Sequence, residues 1–170
     1  MKYLYNFLIR YLLLFIPISL IYFIFSPITI YGSYYLIYFL KPSIIGNIIT
    51  VNGIPFTFID ACIAAYAYYL IWFLSLTAKD VKIKTRVKLI LIGFLLILLM
   101  NYFRISLLIY LTVKYGFDAF NIVHMFFWKF LSWFYVALVW IILVKFYRVK
   151  SIPLYDDFKY LWKKSLFKKK

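Results

Sequence analysis

Long apolar runs, each closed by charged or turn-forming residues, set the pattern of this chain. Four of them approach the length of about 20 residues that lets a helix cross a bilayer. They cover 4–25, 62–78, 89–113 and 120–147. The first closes on Ser26-Pro27. Lys2 and Arg10 near its start would also suit a signal peptide, but no small-residue cleavage site follows, and a membrane anchor is the better reading. From Pro27 to Pro42 the apolar stretch is short for a span, which predicts an interfacial helix over 28–42 on the outer face. A fifth crossing is the alternative there. The segment "NIITVNGIPFTFID" then places Asn52-Gly53 between two β-rich runs. That pattern predicts a hairpin over 48–59 with a two-residue turn, and Pro55 confines its second strand to an edge or a bulge.

Charge orients these elements. The loop "KDVKIKTRVK" carries five basic residues and one acid, and nine basic residues lie from Lys145 onward. By the positive-inside rule, the loop at 79–88 and the tail at 148–170 are cytoplasmic. Both termini then face the cytoplasm and the hairpin faces outward, in a multi-pass protein of the cell membrane. In the tail, Leu154, Phe158, Leu161 and Trp162 fall at helical spacing among lysines. Such a helix suits the inner leaflet, held by anionic lipid; a solvated basic tail is the plainer alternative.

Composition agrees. Of the 170 residues, 67% are hydrophobic, against about half in a soluble domain. The expected fold class is an all-α integral membrane protein forming one domain over 1–170, with about four transmembrane helices. An outer interfacial helix and a short extracytoplasmic β-hairpin before the second span complete it. A net charge of +15 would suggest nucleic acid in a soluble chain. Here the cations flank apolar runs, so no nucleic-acid partner is expected. One Cys excludes a disulfide within the chain, and one His with no CxxC argues against a metal site. No cofactor is expected.

The rare polar residues then fall at one depth. Cys62 opens the second span at its outer end. Arg104 lies fifteen residues past Leu89, roughly 22 Å along a helix and so in the outer third of a core of about 30 Å. His124 is expected in the first turn of the fourth span, again on the outside. Alone, a Cys is usually a small apolar packing residue, His124 an interfacial one, and Arg104 a residue that snorkels. Together they suit acyl transfer. A thiol reacts as its thiolate, which a helix N-terminus, His or Arg stabilises. His124 would act as general acid and base, and Arg104 would stabilise developing negative charge. Asn101 shares a helical face with Arg104 and is expected to orient the guanidinium. Blander roles fall to Asp60 and Asp118 as helix caps, to Lys129 as a snorkelling residue, and to the tyrosines of "AYAYY" as packing.

The motifs "DACIAAYA", "NYFRIS" and "NIVHMFFW", in this order and topology, resemble those of exosortases and archaeosortases, above all the small pacearchaeosortase branch. The β-rich run before the Cys is similar as well, and the resemblance covers 34–144. Many members read Ala-Cys-Ser-Gly, whereas Ile63 and Ala64 follow Cys62 here. The resemblance implies a membrane cysteine transpeptidase with Cys62, Arg104 and His124 as catalytic residues. Its partners would be surface proteins ending in a short motif, a transmembrane helix and a basic cluster. The new C-terminus would pass to a membrane lipid. Two other readings stay open at this level: a non-enzymatic assembly or transporter-subunit protein, and a lipid-modifying transferase without a Cys intermediate.

Overall fold

Helix α1 (Lys2–Leu12) runs through a 3-10 turn at Leu13–Phe15 and stops at Pro17, where α2 (Ile18–Leu36) begins in the computed structural model, which describes residues 2–127 and 132–164. Proline has no N–H to donate and disfavours helical backbone in the residue before it. Ile16 accordingly turns extended (φ −58°, ψ 120°), and Pro17 becomes the residue ahead of α2. The continuous helix expected over 4–25 is therefore divided at Pro17.

Nor does a helix end at Ser26-Pro27, because α2 carries Pro27 inside it. A proline there forfeits one backbone bond, and packing on both sides outweighs the loss. Ile21, Thr29, Ile30 and Ser33 are all buried. Tyr102 lies across α2 where a Cβ at Gly32 would collide with its ring, and its hydroxyl donates to the Ile28 carbonyl at 2.8 Å. Residues 28–36 thus belong to α2, and the separate interfacial helix expected over 28–42 does not form. A 3-10 turn at Tyr38–Leu40 follows instead.

Three strands form an antiparallel sheet in the order β1 (Ser43–Ile45), β2 (Ile48–Val51) and β3 (Ile54–Thr57). The expected hairpin is β2–β3, with Val51 opposite Ile54 and Asn52-Gly53 between them at φ 50° and 81°. Two positive φ values are what a tight turn matching strand twist requires. Pro55 sits on an edge strand, opposite Thr50, where a missing donor costs no ladder bond. β1 extends the sheet beyond the expected pair through Gly46-Asn47, with Ile45 opposite Ile48. One face of the sheet buries Ile49 and Val51 against Ile37, Phe58, Ile63, Ile105 and Ile109.

The remaining helices are α3 (Asp60–Ile63), α4 (Ala65–Thr77), α5 (Ile83–Tyr115), α6 (Phe117–Phe126), α7 (Ser132–Phe146) and α8 (Tyr155–Lys164). The described chain is thus mostly helical, and α2 and α5 are long and apolar enough to cross a membrane. A second apolar cluster, including Ile21, Tyr68, Ile71, Leu89, Ile97, Val139 and Leu143, joins α2, α4, α5 and α7. Gly93 lets α5 approach α4 closely, since a Cβ there would meet Ile71 Cγ2 at 2.6 Å. The stretch expected as one span over 120–147 holds α6 and α7. Lys129, expected to snorkel, lies outside the described residues, as do 165–170 of the tail.

Two arginines organise the far end of α4. A helix ends with carbonyls that have no partner in the helix. Arg86 donates to the carbonyls of Ser75, Leu76, Ala78 and Val81. Arg10 donates to those of Leu76 at 3.0 Å and Ala78 at 3.2 Å. Two cations sharing carbonyls need a counter-charge, and Asp157 of α8 supplies it, 3.0 Å from Arg10. Tyr3 donates its hydroxyl to the same carboxylate at 2.7 Å. Arg10, Arg86 and Asp157 are 5%, 6% and 1% exposed, so these charges are structural. The tail helix is tied to α1 through Asp157 and Arg10, and the N–H of Leu154 just before it donates to Thr77 O of α4, while Phe158 and Trp162 remain exposed.

Candidate functional site

Cys62 lies in α3, a single turn that ends at Ala64 in the left-handed region (φ 58°, ψ 31°) before α4 resumes. Ile59 precedes α3 with no side-chain cap, and Asp60, expected to cap it, is its first residue. Cys62 therefore does not open a long helix, and a four-residue turn supplies little of the dipole invoked from sequence. What the break does supply is free carbonyls. At Ala64 the helical ladder is interrupted, and buried backbone oxygens must find other donors.

Those donors come from α5. Asn101 donates its side-chain N–H to the Cys62 carbonyl at 2.8 Å. Arg104 donates through Nη2 to the carbonyls of Ala61 and Cys62, both at 3.3 Å. Residues three apart share a helical face, which is why one carbonyl receives both side chains. The expectation that Asn101 orients the guanidinium is thus corrected: the two side chains converge on the backbone at Cys62.

A carbonyl accepts and never donates, so the amide nitrogen of Asn101 must face it and Oδ1 points elsewhere. Oδ1 of Asn101 and Nε of Arg104 are buried without a hydrogen-bond partner among the described residues. Both residues line a cavity of about 50 Å³, walled also by Ala64, Ala67, Tyr135 and Val136. Such a space has room for a group of several heavy atoms, but Cys62 is not on its wall.

Tyr68 adds a group that sequence reading assigned to packing. Its ring does pack, stacked on Phe25 at 4.0 Å. Its hydroxyl, however, is buried with no partner among the described residues and lies within electrostatic reach of Arg104. The available signal was its spacing of six from Cys62, which the kink at Ala64 makes hard to use.

His124 is placed differently from expectation. Gly116 (φ 83°) precedes α6, Asp118 lies in its first turn without capping it, and His124 falls in its last turn. The imidazole stacks on Phe120 at 5.1 Å and is close enough to feel the charge of Arg104. No hydrogen bond joins it to Cys62 among the described residues, and it is not on the cavity wall. The structure thus joins Cys62, Asn101 and Arg104 directly, with His124 on the adjacent helix packed against α5. Cys62 is a free, partly buried thiol at the edge of the apolar cluster under the sheet. Among the described residues no three His, Cys, Asp or Glu side chains converge as a metal site would. No family model, curated protein or solved structure matches this chain.

Proposed function

We propose that this chain is a multi-pass membrane cysteine transpeptidase of the exosortase and archaeosortase type. It cleaves the C-terminal sorting signal of surface proteins at the outer face of the cell membrane and transfers the new C-terminus to a lipid. In this reading α1 sits at the cytoplasmic end beside α8, with both termini on that side. The chain crosses the membrane four times, through α2, α3–α4, α5 and α6–α7. The basic residues gathered at the Arg10–Arg86–Asp157 end agree with that orientation.

The observation that carries the proposal is the convergence of Asn101 and Arg104 on the Cys62 carbonyl, with Asn101 Oδ1 and Arg104 Nε left buried without a hydrogen-bond partner among the described residues. In the proposed mechanism the Cys62 thiolate attacks the scissile carbonyl carbon, and the positive charge of Arg104 stabilises the oxyanion. The C–N bond breaks as His124 protonates the leaving amine, which gives a thioester on Cys62. His124 then takes the proton of the acceptor, whose attack on the thioester releases the thiolate. An apolar membrane surround keeps water scarce and favours the lipid acceptor.

Co-expression with a surface protein bearing a motif, a transmembrane helix and a basic cluster tests this. Wild type should shorten that protein, and Cys62→Ala and Arg104→Ala should leave it full length. Normal shortening by Cys62→Ala would sink the proposal.

A further inference from the structure

A second cleft lies at the end of the bundle remote from Cys62, separated from it by the length of α4, roughly 20 Å for 13 residues. It is a cavity of about 410 Å³ between the loop at 78–82, the first turn of α5 and the connection from α7 to α8. Lys79, Lys82, Arg148 and Lys150 line it. Two carboxylates do so as well, and both are already engaged: Asp80 pairs with Lys79 at 3.6 Å, and Asp156 accepts the Ile152 N–H at 2.8 Å. Lys79 is further held over the Tyr160 ring at 4.3 Å. Lys82, Arg148 and Lys150 have no anionic partner among the described residues.

All three are exposed side chains at one cleft, where their charges sum to a positive potential that attracts an anion. The backbone that carries them is fixed on both sides of the cleft. Ser151 accepts the Lys79 backbone N–H at 2.7 Å, and the Leu154 N–H donates to Thr77 O at 3.2 Å, so its two walls are hydrogen-bonded together. Asp80 and Arg148, one on each wall, both hold left-handed backbone (φ 56° and 52°), a cost that residues other than glycine bear only where surrounding structure imposes it.

We propose that this cleft binds a phosphate-bearing anion through Lys82, Arg148 and Lys150. Arg148 offers the fork that matches phosphate oxygens, and the lysines add point charge. The phosphate is either the headgroup of an anionic lipid, consistent with basic pockets beside membrane helices, or a free anion. The site is independent of the chemistry at Cys62.

The test uses the full chain in nanodiscs of phosphatidylcholine. One arm adds phosphatidylglycerol at rising mole fraction and measures its retention by native mass spectrometry. The other titrates inorganic phosphate by calorimetry. Arg148→Gln/Lys150→Gln is compared with Lys159→Gln/Lys163→Gln, which removes equal charge outside the cleft. Saturable binding in either arm, weakened about tenfold or more only by the cleft variant, supports the site. The responding arm identifies the source. Binding in neither arm, or equal loss in both variants, overturns it. Lys150→Gln alone, at an exposed position, carries the same comparison if the double variant does not fold.

Discussion

Asn101 reaches across 39 positions of sequence to donate its side-chain N–H to the backbone carbonyl of Cys62 at 2.8 Å. The bond fixes the backbone of the candidate nucleophile to the longest helix of the fold. Asn101→Ala should leave that carbonyl to Arg104 alone and destabilise the protein by about 1–3 kcal/mol. Thermal denaturation in detergent measures the loss. Processing of a sorting-signal substrate should fall with it, and unchanged stability would remove Asn101 from this role.

Ala64 holds the left-handed conformation that ends α3 (φ 58°). For a residue with a Cβ this costs roughly 1–2 kcal/mol, whereas glycine takes it freely at some cost in unfolded-state entropy. Ala64→Gly should therefore stabilise the protein slightly, by about 0.5 kcal/mol. Ala64→Val should destabilise it, because a β-branched residue tolerates this backbone poorly. A pair of melting curves decides the matter. The Gly of the Ala-Cys-Ser-Gly pattern falls on this position, so the substitution also introduces the residue that the resemblance would lead one to expect.

Arg86 donates to four backbone carbonyls. A lysine keeps the charge but has one nitrogen and no planar fork. Arg86→Lys should cost about 1–3 kcal/mol by leaving carbonyls unpaired, and thermal denaturation of the purified protein should show it. A variant as stable as wild type would mean that charge alone organises this end.

The buried pair Arg10–Asp157 joins residues at opposite ends of the chain. Breaking such a pair by removing one partner costs about 3–5 kcal/mol. Asp157→Leu should therefore be strongly destabilised, and limited proteolysis should cut near α8 first. Arg10→Met/Asp157→Leu should recover much of the loss, though not the bonds from Arg10 to Leu76 and Ala78. Protection of α8 in the single variant would contradict this account of its docking.

What the sequence displayed and what it hid divide along physical lines. Asn52-Gly53 was legible because few residues other than Gly, Asn and Asp hold two positive φ values. Gly46-Asn47 between Ile45 and Ile48 obeys a related rule, with Gly46 at φ 60°, but the three residues of β1 are too few to show a strand pattern. The shared face of Asn101 and Arg104 followed from helical spacing within an unbroken helix. Pro27 misled because its local cost is visible in sequence, whereas the packing of Ile30, Ser33 and Tyr102 that offsets it is tertiary. Alanine carries no signal of a left-handed break, so nothing local shows that Cys62 lies in a separate turn ahead of α4. His124 falls at the end of α6 because that helix covers only Phe117–Phe126, whereas the apolar run continues to 147. Arg10, Arg86 and Asp157 looked like flanking charge, since nothing local reveals that carbonyls at the end of α4 await them.

Intact-mass analysis of the purified protein with a sorting-signal peptide puts the proposed chemistry to the most direct test. The account predicts an adduct equal to the N-terminal fragment of the peptide, attached to Cys62, released by hydroxylamine and absent from Cys62→Ala. Cleavage of the peptide by Cys62→Ala at the wild-type rate, with no adduct on the wild type, would contradict it.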